Sequence, residues 1–251
     1  MENKSEAAGW AVRAAALAGI LALIFLLSKL PSYVERKTQE KTASNEVVVT
    51  IPEGLNISQI GEILEKSGLF SKSDFEKAAQ KEEGFLFPDT YRFYKNSGPG
   101  QVIARMRENF KKKITPEILA EIKKQQKTLP DIITMASLLE EEAKSTKDRK
   151  LVAGILWKRL KAGVGLQADA TLTYVLGKAT SELTEGDLKI DSLYNTYRYR
   201  GLPPGPISNP GMDAILAALY PTSSPYFYYL SDKEENIHYA EDFAEHKLNK
   251  F

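Results

Sequence analysis

The chain has no cysteine, and only two histidines among its 251 residues. The first absence excludes disulfides, thiolate zinc sites and cysteine nucleophiles. His238 and His246 stand eight residues apart, a spacing that does not suit a metal site, and no nucleophile motif accompanies them to suggest a Ser-His-Asp triad. An excess of one charge is also lacking. Thirty-four Lys and Arg against 33 Asp and Glu leave a net charge of +1, without the concentrated basic surface that broad nucleic-acid binding needs. No segment carries metal-ligand or phosphate-loop spacing, so no cofactor and no metal are expected. Long apolar runs are absent after the first 30 residues. With 43% hydrophobic and 27% charged residues, what remains suffices for one or two globular domains.

The one long apolar run is Trp10 to Leu27, interrupted only by Arg13. About 20 apolar residues cross a bilayer, and an arginine near one end can snorkel to the headgroups. A cleavable signal peptide has a shorter apolar region, about 7 to 15 residues, followed by a small-x-small site. Here Ser28-Lys29-Leu30-Pro31 follows directly. The expectation is an uncleaved transmembrane anchor over residues 1–30 and a polar stalk over 31–45. Lys4 and Arg13 on one side and Lys29, Arg36 and Lys37 on the other leave its orientation unset by charge.

The remainder reads as an α+β chain in two parts. Residues 46–93 give a small β-α-α-β module. Glu46–Ile51 is β-branched, Ile57, Ile60, Ile63 and Leu64 recur at helical spacing, Ser73-x-x-Glu76 looks like a capping box, and Gly84–Phe93 is aromatic and strand-like. Residues 94–251 give a mixed α+β domain. Gln101–Lys124 predicts one or two amphipathic helices, with Lys111-Lys112-Lys113 a solvated face, and Asp148–Ala162 another, closed by Gly163. Asp169 is placed to N-cap a short helix ending at Gly177, and Asn209-Pro210 to open a helix over Met212–Tyr220. A long ordered loop precedes it. Tyr226–Leu230 and Ile237–Glu241 predict a hairpin, and Asp242–Lys250 a last helix.

Between these lies Ala136-Ser137-Leu138-Leu139-Glu140-Glu141-Glu142. On a wheel of 3.6 residues per turn, Ile132, Ile133, Met135, Ala136, Leu138 and Leu139 cover one arc. Glu140 and Glu142 fall inside it, while Glu141 points the other way. A carboxylate held among apolar side chains has a raised pKa and can carry a proton near neutral pH. The plainer reading is a helix flank whose glutamates reach solvent or pair with Lys144 or Arg149. The wheel does not separate Glu140 from Glu142.

Five segments, in order, resemble the endolytic murein transglycosylases, the MltG or YceG-like family. They are Glu83-Gly84-Phe85-Leu86-Phe87-Pro88-Asp89-Thr90-Tyr91, the Ala136–Glu142 stretch, Leu166-Gln167-Ala168-Asp169-Ala170-Thr171-Leu172-Thr173-Tyr174, Tyr194-Asn195-Thr196-Tyr197 and Gly201-Leu202-Pro203-Pro204-Gly205-Pro206-Ile207-Ser208-Asn209-Pro210-Gly211. One departure is Ala170, where the family usually has proline after the aspartate. The resemblance implies a membrane anchor, a LysM-like module at 46–93 and a transglycosylase domain at 94–251. The implied reaction cleaves the β-1,4 bond between N-acetylmuramic acid and N-acetylglucosamine without water. The muramic 6-hydroxyl attacks its own anomeric carbon and leaves a 1,6-anhydro end.

The family motif assigns the acid/base to Glu140, with Glu142 as its neighbouring partner or a buried ion-pair member. Gln167, Asn195 and Tyr197 would line the sugar cleft, and Tyr174 would stack on a sugar or sit in the core. Asp169 and Asn209 would bind substrate or serve only as helix caps, and His238 would be structural or a peripheral contact. The partners implied are peptidoglycan glycan strands, the membrane through the N-terminal helix, and peptidoglycan synthases, with no nucleic acid. The implied location is the cytoplasmic membrane, with the catalytic domain outside. Two other readings are a muramidase-type hydrolase using Glu140 with Asp169, and a non-catalytic glycan-binding scaffold.

Overall fold

Strand β1 (Glu46–Ile51) alternates, exposing Val48 and Thr50 and burying Val49 and Ile51, as a half-buried strand should. It pairs with β2 (Asp89–Tyr94), which turns Tyr91 and Phe93 inward, their rings stacked at 5.5 Å. Between them run α1 (Ile57–Lys66) and α2 (Lys72–Ala79). Asn56 and Gln59 close a capping box at the start of α1. The cap of α2 is Ser71, which accepts from the Asp74 amide, two residues before the expected Ser73. Any Ser followed three residues later by an acid fits that pattern, and the chain offered two overlapping ones.

The computed structural model describes residues 45–232, 234 and 236–249, with positions 10, 19, 25, 28 and 29 ahead of them. The expected anchor and stalk lie outside the described residues apart from these positions and Asn45. Among the described residues no helix is long and apolar enough to cross a membrane. Residues 48–251 form one compact unit, a mixed α+β structure with two small sheets.

Gln101–Lys124 resolves into two helices, α3 (Pro99–Lys113) and α4 (Pro116–Lys124), because Thr115 caps and Pro116 opens the second. At the centre stands α5 (Leu129–Glu142), started by a Thr128–Asp131 capping box, with every residue from Ile132 to Leu139 buried. Around it pack α6 (Thr146–Lys161), α7 (Asp169–Leu176) and α8 (Met212–Leu219). Gly177, at φ +64°, ends α7 in the left-handed conformation glycine tolerates. Gly154 of α6 lets the chain approach closely, since a Cβ there would stand 2.0 Å from the Thr222 carbonyl oxygen. An antiparallel hairpin of β3 (Tyr228–Ser231) and β4 (Ile237–Ala240) pairs Tyr229 with Tyr239. The last helix, α9 (Phe243–Leu248), is capped by Asp242.

Two expected caps are corrected. The N-cap of α7 is Ala168 and that of α8 is Gly211. Asp169 is already the first residue of its helix, and Asn209 lies two residues before its cap. Both side chains are engaged by distant parts of the chain instead.

Candidate active site

The last turn of α5 delivers three glutamates into different surroundings. Glu142 lines a cavity of about 700 Å³, together with Glu141, Arg159, Gln167, Asp169 and Tyr197, and with Tyr228, Tyr229, Phe243 and His246 from the hairpin and α9. Its Oε2 accepts from the Tyr229 hydroxyl at 3.1 Å. Burial is the main cause that pushes the Glu142 carboxyl up to about 7, with the charges of Asp169 and Glu141 adding to it and the Tyr229 hydrogen bond opposing it. The Tyr229 hydroxyl is itself held well above its ordinary value by burial and by Glu142. A carboxyl that lines a cavity and still holds its proton part of the time at neutral pH is the equipment of a general acid.

Glu140 does not line that cavity. Its side chain is 6% exposed, and each oxygen is occupied. Oε1 meets Arg149 Nη2 at 2.5 Å and Oε2 accepts from the Gly211 backbone N–H at 2.8 Å. Arg149 also bonds Asp213 at 2.7 Å and the Ala143 carbonyl at 2.9 Å, so the pair locks the end of α5 to the start of α8. Burial raises the Glu140 carboxyl, opposed by the Gly211 N–H and by Arg149. The Arg149 partnership was one of the plainer alternatives open to the sequence. Glu141, read as pointing away, lines the cavity as well as reaching solvent, its carboxyl raised by burial and by the charge of Glu140.

Gln167 and Asp169 enter from the start of α7. Gln167 sits at φ +55°, a strained conformation for a non-glycine residue. Its Oε1 accepts from Arg159 Nη2 at 2.7 Å, which leaves the amide N–H group as the part free to meet a ligand. Arg159 is 5% exposed and is anchored by the Gly165 carbonyl at 2.7 and 3.0 Å and by the Phe227 carbonyl at 3.2 Å. Asp169 accepts from the Tyr197 hydroxyl, whose pKa is raised by burial and by that carboxylate.

Asn195 and Asn209 lie inside the protein, 0% and 1% exposed, and are absent from the cavity lining. Asn195 donates to the Leu188 and Ile190 carbonyls and accepts from the Tyr197 amide, so it shapes the loop that delivers Tyr197. Asn209 accepts from the Leu86 amide at 2.9 Å and donates to the Leu55 carbonyl at 2.9 Å and to Glu83 Oε1 at 3.0 Å. Tyr174 donates to Glu83 Oε2 at 3.3 Å and packs its ring 5.2 Å from that of Tyr194, a half-buried position against the core and outside the cavity lining. His238 meets Asp232 at 2.8 Å within the hairpin turn, also outside the cavity lining.

Several residues of the site went unread in the sequence. Arg159, Tyr229 and His246 had no motif to announce them. Glu83 stood in a quoted motif without a role, yet burial pushes it to about 7 and it receives the Ile57 amide, Tyr174 and Asn209. Among the described residues no group of His, Cys, Asp and Glu could hold a metal ion.

The sequence profile of the YceG-like family matches residues 26–250, nearly the whole described fold. The chain belongs to the YceG-like family. An endolytic murein transglycosylase of Bacillus subtilis (strain 168) is 37% identical over 168 residues, which are 67% of this chain and 47% of that protein. One from Streptococcus pneumoniae (strain D39) is 34% identical over 173 residues, 66% of this chain and 31% of that protein. The match thus spans less than half the length of either relative. The crystal structure of a yceG-like protein from Listeria monocytogenes superposes with a TM-score of 0.75 at 32% identity, covering 81% of this chain and 76% of that one.

Proposed function

We propose that this YceG-like chain is a peptidoglycan lytic transglycosylase, and that Glu142 rather than Glu140 moves the proton. The observation that carries the assignment is that Glu142 faces the cavity with its carboxyl pushed up to about 7, while both oxygens of Glu140 are already bonded. Glu142 protonates the glycosidic oxygen as the bond from the muramic anomeric carbon breaks. The resulting carboxylate then takes the proton of the 6-hydroxyl as that oxygen bonds the anomeric carbon. No water is consumed, and the glutamate ends protonated as it began. Tyr229 holds the carboxyl in place, and Asp169 sets a negative charge beside the cation that develops at the anomeric carbon. Gln167, presented by Arg159, and Tyr197 bind sugar substituents.

The finer parts of the reading come with this one. Residues 1–30 anchor the chain in the cytoplasmic membrane with the cavity outside. Residues 46–93 form a LysM-like module, and peptidoglycan synthases supply the nascent strands. The similarity to named transglycosylases and the carboxylate-lined cavity support the reading. Asp169, on the same cavity, keeps a hydrolase using Glu142 and Asp169 as the second reading, because glycosidases work with two carboxylates.

Mass spectrometry of products from uncrosslinked glycan strands separates them. Anhydro-muramic ends from the wild type and from Glu140→Gln, lost in Glu142→Gln, are expected. Reducing ends carrying solvent oxygen move the reading to the hydrolase. Anhydro ends that survive in Glu142→Gln remove that residue from the chemistry.

A further inference from the structure

We infer that Tyr228, Phe243 and His246 form an aromatic shelf that stacks a hexosamine ring of the glycan other than the one being cleaved. This deepens the proposed function and rests on it. The three side chains come from β3 and α9, and all line the cavity that Glu142 faces. The ring of Tyr228 lies 5.2 Å from that of His246 and 5.8 Å from that of Phe243, and the last two are 6.1 Å apart.

Arg159 and the stacked His246 ring lie against Tyr228, and Phe243 is the member that keeps an exposed ring. The buried Arg159 guanidinium stands 5.5 Å from the centre of the Tyr228 ring. Phe243 remains 51% exposed, so its ring is not consumed by the core. The exposed Lys247 ammonium lies 4.6 Å from the Phe243 ring centre. The shelf is also continuous with the reacting centre, since Tyr228 is the chain neighbour of Tyr229, whose hydroxyl bonds Glu142.

The chemistry of the walls selects the occupant. Glu141 and Asp169 share the cavity with Glu142, and the Arg159 guanidinium there is already taken up by the Gly165, Phe227 and Gln167 oxygens, so an anionic ligand such as a nucleotide meets two carboxylates and an engaged cation. A wholly apolar ligand leaves these carboxylates and the Gln167 amide unpaired. A pyranose answers both needs. Its C–H face is slightly positive and packs on the negative face of an aromatic ring, and its hydroxyl and amide rim pairs with the polar wall.

The test uses the full chain with Phe243→Ala, Phe243→Leu (which keeps the apolar contact with the hairpin but has no ring) and Phe243→Trp. Rates are read on uncrosslinked glycan strands. Binding of chitotetraose is read by calorimetry in the Glu142→Gln background. With stacking lost, the Ala and Leu variants raise KM about tenfold and weaken chitotetraose binding about tenfold, leave kcat within about twofold, and Trp restores both. Unchanged KM and unchanged binding in both the Ala and Leu variants, with anhydro ends still formed, overturn the shelf. If the wild type yields no anhydro ends while the Ala and Leu variants still weaken chitotetraose binding, the transglycosylase reading fails and the sugar subsite stands.

Discussion

Glu83 and Glu142 occupy two regions of the molecule with one property in common: burial pushes both carboxyls up to about 7. Their surroundings differ. Glu83 receives the Ile57 amide at 3.2 Å, the Asn209 amide group at 3.0 Å and the Tyr174 hydroxyl at 3.3 Å, tying the β1–α1 turn, α7 and the loop before α8 together. Glu142 receives the Tyr229 hydroxyl and the Ala170 amide, and unlike Glu83 it lines a cavity. A raised pKa marks removal from water, and what decides between a strut and an acid is whether a ligand can reach the oxygens. Glu140, ion-paired two positions from Glu142, shows the same distinction within one helix turn.

The largest effect expected from this comparison is on catalysis. Glu142→Gln lowers the rate of anhydro-end formation by about 10²- to 10⁴-fold or more, while its melting temperature at pH 8 stays equal or rises, since a buried charge has been removed. Glu140→Gln behaves in the opposite sense. It leaves Arg149 with Asp213 as its one remaining carboxylate partner and costs about 3 kcal/mol of stability, yet it is expected still to yield anhydro ends. Rates and denaturant midpoints measured side by side check both, and an inactive, fully stable Glu140→Gln breaks the comparison.

The next effect is on stability. The folded pKa of Glu83 is raised above its unfolded value of 4.5 to about 7. The proton is therefore bound more tightly in the folded state, and the stability it brings is complete below about pH 4.5 and lost as pH rises through 7. A shift of this size corresponds to about 3 kcal/mol across that window. Glu83→Gln removes its share of the slope, read from urea midpoints between pH 4 and 8, with little change in kcat at pH 6. A slope that persists unchanged in the variant means that Glu83 is ionised throughout.

Much of this arrangement was legible in the sequence, and the rest was not for a physical reason. The apolar arc of α5, the glycine ending α7 and the two short strand-like segments of the hairpin are local signals, so these elements could be read directly, although the N-cap of α7 was misplaced by one residue. The wheel brought Glu140 and Glu142 to the buried side of α5, but it reports a face and not the neighbours met there. Of the groups that separate the two, Arg149 is near enough to be named from the sequence, but Gly211 is 71 residues from Glu140 and Tyr229 is 87 from Glu142. Asn209 was read as a local cap for the same reason, while its carbonyl oxygen serves Leu86, 123 residues away.

Smaller effects sharpen the contrast between acid and strut. Tyr229→Phe removes the hydroxyl that lowers the Glu142 pKa, so that pKa rises further. If Glu142 is the acid, the wild-type kcat/KM is expected to fall as pH passes about 7, and in the variant the fall is expected at higher pH. A charge-assisted hydrogen bond of this kind is worth about 2 kcal/mol, enough to displace the limb by about one pH unit. A limb that stays in place assigns it to another group, and Asp169→Asn is then the variant to follow.

Tyr174→Phe is the matched change at Glu83 and the smallest of the set. The Tyr174 hydroxyl bonds Glu83 at 3.3 Å, longer than the other two contacts, and the Ile57 and Asn209 donors remain. The ring keeps its packing against Tyr194, so no cavity opens. The cost is about 1 kcal/mol or less at neutral pH, and it shrinks below pH 4.5, where Glu83 is protonated in both folded and unfolded states. Because Tyr174 does not line the cavity, the pH limb of kcat/KM stays where the wild type has it. A shifted limb in Tyr174→Phe would make the Glu83 network part of the acid's own electrostatics, and the separation between the two regions would no longer hold.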